Sequence, residues 1–212
     1  MTHRTHAPLV LAAEASFIGQ QAEANTGIQG LIDRIKSPDE TVSGAAWQSA
    51  GPYGAAAVKP LAALMEDGDF ELARKAKRAM YRVVRHAGHP GSASERRAVE
   101  RQLILLISSS PSAVRREVVW MLSEIGSARA IGPTAALLTD KEVREDARCA
   151  LTRHPAPSAV TALKAAFAAA ADEDFKYALA ESLRARGQKV EGYPSRKLAP
   201  TAQTTVAPLS TK

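Results

Sequence analysis

Only one cysteine, Cys149, occurs in 212 residues, which excludes an internal disulfide framework and any all-cysteine metal site. A reduced thiol in the cytoplasm is the setting this predicts. Aromatic residues are also scarce, at 5%. Alanine supplies much of the 45% that is hydrophobic, a balance that suits closely packed helices better than a sheet. Long apolar runs are missing. The stretch Ala7 to Ala13 is broken by Glu14, so neither a membrane span nor a signal peptide is expected. Glycine-rich phosphate loops, nucleophile elbows and His-Glu-x-x-His do not occur either. No catalytic residue, cofactor or metal is therefore expected.

What is present is an uneven distribution of charge. The formal net charge is +6, and the segment from Phe70 to Arg101 alone carries nine Lys or Arg against Glu71, Glu95 and Glu100. The residues before it are net acidic and those after it net basic, giving a dipolar surface.

A recurring helical register organises the chain. Val114 is followed by apolar residues four, five, seven, eight and eleven positions on, then by Gly126, and those offsets form one helical stripe. The same register fits segments starting at Val42, Leu72, Val143 and Phe175. Four residues on, the column reads Ala46, Ala76, Val118, Ala147 and Leu179, and eight residues on it reads Ala50, Met80, Leu122, Leu151 and Leu183. Both columns are wholly apolar and are expected to be core.

Three residues before each start stand Asp39, Asp69, Pro111, Asp140 and Asp172, and an aspartate there suits a helix N-terminus. One residue after the start, Arg115, Arg144 and Lys176 place a cation within reach of such an aspartate in the same or the neighbouring repeat. A second apolar run precedes each segment: Ile28/Leu31/Ile32/Ile35, Val58/Leu61/Leu64/Met65, Val99/Leu103/Leu106/Ile107, Ile131/Ala135/Leu138 and Val160/Leu163/Phe167. Each unit is thus predicted to be two helices.

An aspartate, then Val-Arg, then small and apolar residues ending in Leu and Gly, preceded by a helix with an early proline (Pro60, Pro133), resembles the HEAT repeat family. The similarity is to its short bacterial form, as in bilin-lyase-like proteins, and covers roughly residues 26 to 190. The starts are spaced by 30, 42, 29 and 32 residues, mostly shorter than the roughly 40 to 47 usual for HEAT and armadillo units. The long interval is read as an inserted loop, His86 to Ser94. Ankyrin and tetratricopeptide signatures do not occur.

The resemblance implies an all-α, right-handed α-solenoid of about five helical hairpins, in units of about 26–57, 58–97, 98–129, 130–158 and 159–190. Residues 1–25 are read as an N-terminal capping segment. Residues 191–212 are read as an extended or disordered tail, with Tyr193 and Leu198 as the contacts of a possible strap.

In the family the second helices line a concave surface. Offsets two, six and nine then read Gly44, Gln48 and Gly51; Arg74, Arg78 and Tyr81; Arg116, Trp120 and Ser123; Glu145, Cys149 and Thr152; Tyr177, Glu181 and Arg184. The expected groove residues are Arg74, Arg78, Tyr81, Arg116, Trp120 and Tyr177, with Lys75, Lys77, Arg82 and Arg85 as a basic patch. Trp120, expected between Arg78 and Arg116, is either a binding hot spot or a filler between repeats, as Trp47 is expected to be at its core position. The resemblance implies a scaffold for a protein partner, one bearing an acidic segment if the basic patch takes part. Nucleic acid is the less favoured alternative, either as a phosphate backbone on the arginines or as in HEAT-like alkylpurine DNA glycosylases. A bilin-lyase-like or chaperone role is the third.

Overall fold

The structure is a computed structural model that describes residues 27–196; the expected N-terminal cap and Leu198 of the tail lie outside the described residues. Among the described residues there are helices and no strand. They are α1 (27–35), α2 (Glu40–Gln48), α3 (Gly54–Met65), α4 (Phe70–Ala87), α5 (Ala93–Ser109), α6 (Ser112–Ile125), α7 (Ile131–Ala136), α8 (Arg144–Arg153), α9 (Pro157–Ala169) and α10 (Glu173–Ala185). From α3 to α9 the odd-numbered helices pack in succession, and from α2 to α10 the even-numbered ones do the same. That two-layer stacking is an α-solenoid of helical hairpins.

The columns predicted to be core are core. Ala46, Ala76, Val118, Ala147 and Leu179 are at most 2% exposed, as are Ala50, Met80, Leu122, Leu151 and Leu183. The starting column is less uniform. Val114, Val143 and Phe175 are buried, but Val42 is 38% exposed. Phe175 is covered by the guanidinium of Arg144 from the preceding unit, 4.5 Å from the ring centroid. Among the described residues no preceding unit supplies such a cover for Val42.

Aspartates cap three of the second helices, and a fourth, Asp140, closes the turn that leads into α8, whose own N-cap is Val143. The Asp39 carboxylate accepts from the Thr41 and Val42 amides, and Asp69 accepts from those of Glu71 and Leu72. Asp140 and Asp172 do more, because each uses its second oxygen to hold the unit before it. Asp140 Oδ1 accepts from the Glu142 amide at 3.0 Å while Oδ2 takes Arg115 Nη1 at 2.6 Å. Asp172 Oδ1 accepts from the Phe175 amide at 3.1 Å while Oδ2 takes Arg144 Nη2 at 2.6 Å. The cation therefore reaches the neighbouring repeat. Where Ala73 and Pro111 replace the pair, between the second and third units, a depression of about 250 Å³ opens, lined in part by Met65, Phe70, Ala73 and Val114. Phe70 is 74% exposed there.

Further polar ties run between units. Arg148 Nη1 donates to Ser182 Oγ at 2.6 Å, and the Arg186 guanidinium donates to the carbonyls of Thr152, His154 and Pro155 at the end of α8. Buried His154 accepts from the Ala156 amide at Nδ1, which leaves Nε2–H to donate to the Gly126 carbonyl at 3.2 Å.

The expected loop from His86 to Ser94 is a correction. Helix α4 continues to Ala87 and α5 begins at Ala93, so only residues 88–92 connect them. The extra length lies in the helices, because Val83, Val84 and Ala87 extend the buried stripe by another turn. That turn packs on Gly51, where an added Cβ would come within 2.9 Å of His86 Cβ. Gly51 is accordingly buried and is not a groove position.

Two outcomes follow for stability. Leu122→Ala, in the inner column, lowers stability by about 2–5 kcal/mol, whereas Val42→Ala changes it by less than about 1 kcal/mol; denaturant unfolding followed by circular dichroism separates them. The second concerns pH. The guanidinium of Arg115, with the Glu142 amide, holds Asp140 below the usual carboxylate range. The Phe175 amide, with Arg144, does so for Asp172. Depressed carboxylates stabilise the fold fully above their unfolded pKa, about 4, and lose that contribution as pH falls through the folded value. The Tm difference between the wild type and Arg115→Gln/Arg144→Gln is therefore constant above about pH 5 and shrinks on acidification below about pH 4.

Candidate functional site

Among the described residues, the face of the even-numbered helices away from the core carries two larger depressions besides the one at Phe70. One lies on α2 and α4, where Trp47, Arg78, Tyr81, Arg82 and Arg85 surround about 470 Å³. The spacing of Arg78 and Arg82 puts both on one side of α4. Their guanidinium carbons stand 5.4 and 5.7 Å from the centroid of Trp47, within the range of a cation–π contact. Arg85 lies 5.2 Å from the ring centroid of Tyr81 and 3.6 Å from Glu124. Among the described residues no carboxylate lies within ion-pair distance of Arg78 or Arg82. The Tyr81 hydroxyl donates to Glu117 Oε2 at 3.1 Å; burial, and then the charge of Glu117, push its pKa above the ordinary phenol range.

The other basic residues do not join this cluster. Lys75 turns to Glu40 of the first unit at 2.8 Å and Lys77 to Glu117 of the third at 3.1 Å. Arg74 pairs with Glu71 beside Phe70, in the smaller depression between the second and third units. A run of cations close in sequence is thus divided by helix geometry among three directions.

Trp120 is not flanked by Arg78. Its indole N–H donates to Asp146 Oδ1 at 2.9 Å, and the guanidinium carbon of Arg153 lies 5.2 Å from the ring centroid. Arg116 approaches the same aspartate at 3.7 Å and donates to the Glu142 carbonyl at 2.9 Å. Trp120 is half-buried and bridges α6 to α8. Arg78 stacks instead on Trp47, which is half-buried rather than core. A signal for this was available: offset five, where Trp47 sits, also holds Lys77 and Arg148, and so is not a uniformly apolar column.

The second depression, of about 730 Å³, lies on α8 and α10 and is lined in part by Glu145, Asp174, Tyr177 and Glu181. Tyr177 does not stand open to a partner, since Tyr193 packs edge-on against it at 5.0 Å and Arg196 lies over its ring. His86 Nδ1 is 3.1 Å from Glu95 Oε1. Among the described residues no group of three or more His, Cys, Asp or Glu is arranged to hold a metal.

The family of HEAT repeats matches residues 99–184. A comparison with curated proteins returned no match. Among solved structures, an engineered protein of the Northeast Structural Genomics Consortium is similar at 21% identity over 76% of this chain and 79% of that one, with a TM-score of 0.40. A second engineered protein from the same source is similar at 21% identity and TM-score 0.37, this chain spanning 47% of it. A designed armadillo repeat protein is similar at 15% identity, covering 74% of this chain and 98% of that one, with a TM-score of 0.33.

The two tryptophans are expected to report different fields. In Trp120→Phe, where Trp47 is the sole emitter, iodide quenches fluorescence several-fold more efficiently than caesium, because the arginines concentrate anions at the ring. In Trp47→Phe the preference for iodide is weak, since Asp146 and Glu142 offset Arg153 and Arg116 around the Trp120 indole. Stern–Volmer slopes at low salt check both.

Proposed function

We propose, for a HEAT-repeat protein whose helices run through residues 27–185 and which matches its family over 99–184, that it is a non-catalytic scaffold. It holds a protein partner on the face of its even-numbered helices, the concave groove of such an array. One observation carries this reading: Arg78 and Arg82 are laid over Trp47 with no carboxylate of the described chain at ion-pair distance. A guanidinium stacked on an indole is ordered in advance yet keeps its N–H groups for a planar anion. It therefore gives up little side-chain freedom on binding. Tryptophan and arginine together are also the residue types that dominate binding energy at interfaces. The partner feature that fits is an acidic segment of a protein, with a carboxylate on each arginine.

The neighbouring cations support the locality of the site. Lys75, Lys77 and Arg116 lie within ion-pair distance of Glu40, Glu117 and Glu142 respectively, and the ring beneath Arg153 is bonded to Asp146, so the positive field is strongest at Trp47. A nucleic acid backbone, the second reading, would use the same arginines, but a binder of long polyanions generally presents an extended basic stripe. The proposed setting is the cytoplasm, in keeping with the unpaired Cys149. No helix of the described residues is long and apolar enough to cross a membrane.

The test is affinity capture with the wild type and with Arg78→Glu/Arg82→Glu, both positions being exposed, at low and high salt and with nuclease. Specific proteins are recovered on the wild type and lost on the variant at matched Tm, and a purified partner binds the variant at least about tenfold more weakly. Equal recovery on both overturns the reading. Material that nuclease removes and that declines steeply with salt supports nucleic acid instead.

A further inference from the structure

Beyond α10 the chain doubles back onto the same face. Gly187 and Gly192, at φ 72° and 77°, make the turns that L side chains resist, and Val190 packs against the core between them. Residues 193–196 have no regular secondary structure and meet α10 in sequence. Tyr193 packs edge-on against Phe167 at 5.1 Å and Tyr177 at 5.0 Å, and its carbonyl accepts from Arg184. Ser195 Oγ donates to Glu181 Oε2 at 2.9 Å. Arg196 lays its guanidinium 3.2 Å from the Tyr177 ring centroid and reaches Asp174 Oδ1 at 3.4 Å. Tyr177, Glu181 and Arg184 occupy offsets two, six and nine of the last unit, the positions that define the groove face throughout the array. The chain thus carries a short peptide of its own in its groove.

The seat is larger than its occupant. The depression of about 730 Å³ next to Pro194, Ser195 and Arg196 continues onto α8 at Glu145 and Arg148. The hold is also slight. The Arg196–Asp174 pair has side chains 54% and 93% exposed, a setting in which ion pairs contribute little, and Ser195 is exposed as well. Tyr193 is the one half-buried anchor. A segment held by one aromatic and a few solvated polar contacts opens locally at far lower cost than the array unfolds.

We propose that the even-helix face of α10, with its extension onto α8, is a binding site for an extended peptide, and that residues 193–196 occupy it in cis. Its occupant in trans is a partner segment with an aromatic residue followed three positions later by arginine, which takes the contacts of Tyr193 and Arg196 once the strap lifts. The proposal rests on the reading of this face as the binding face, but concerns the end of the array opposite Trp47. A tethered strap acts at an effective concentration of about millimolar, so it lowers the apparent affinity of any incoming peptide by the fraction of time the site is closed.

Fluorescence anisotropy of a labelled Gly-Tyr-Pro-Ser-Arg peptide with the full chain tests this. Arg196→Glu turns the strap's charge against Asp174 and Glu181 at an exposed position, and the peptide binds this variant at least about tenfold tighter than the wild type. Adding Asp174→Asn and Glu181→Gln removes the gain. Equal binding to wild type and Arg196→Glu, or binding to neither, overturns the proposal. Tyr193→Ala provides the second readout. A displaceable strap leaves its Tm within about 3 °C of wild type, whereas a drop as large as that of Leu122→Ala makes residues 193–196 a fixed end cap and overturns displacement. Capture by the wild type against Arg78→Glu/Arg82→Glu does not depend on this result, so the scaffold reading and the strap fail separately.

Discussion

No hairpin of about thirty residues can bury its apolar stripe on itself, so every unit of this chain needs the next one to be a folded structure. That constraint puts alanine, valine and leucine at offsets four and eight with almost no exposure. It also accounts for the low aromatic content, since small side chains let helices of successive units approach closely. The aspartate–arginine pairs act on the same junctions. Asp172 caps a helix with one oxygen and clamps the preceding unit with the other, and Asp140 divides its oxygens in the same way between the turn that leads into α8 and Arg115, so entry to the helix and stacking depend on the same side chain.

The pairs are complete between the third, fourth and fifth units and missing between the first and second, where Ser43 stands in place of the cation, and between the second and third, where Ala73 and Pro111 stand. The second unit differs in other ways. Its second helix is the longest among the described residues, running from Phe70 to Ala87, and it carries the arginines that lie over Trp47 and Tyr81. Regularity serves stacking, and the departures from it collect where the candidate binding residues are. At the other end, Tyr193 and Arg196 sit where a further unit or a partner would be in contact with the groove face.

Legibility differed by residue for a physical reason. Buried columns are set by helical period, and period is a property of sequence; Met80, Leu122, Leu151 and Leu183 could be placed without coordinates. Aspartate caps are local, acting on amides two or three residues away, and were equally readable. The direction of a long side chain is not. Arg78 was expected beside Trp120 and lies over Trp47, because a guanidinium several ångströms from its backbone can turn to either neighbouring unit. The assumed loop from His86 to Ser94 shows the same limit, since glycine, histidine and proline close together suggested an insertion while the apolar stripe through Val83, Val84 and Ala87 kept the helix going.

The sequence by itself determined the repeating unit, its two helices, its core columns and the aspartates that start the second helices, all of which follow from spacing along one chain. Tertiary structure alone decided which tryptophan receives the arginines, which cations are neutralised by a neighbouring unit, and that Tyr193 and Arg196 return to the face of α10. Those outcomes depend on distances between residues far apart in the chain, and helical periodicity carries no information about how far one unit is displaced along the next.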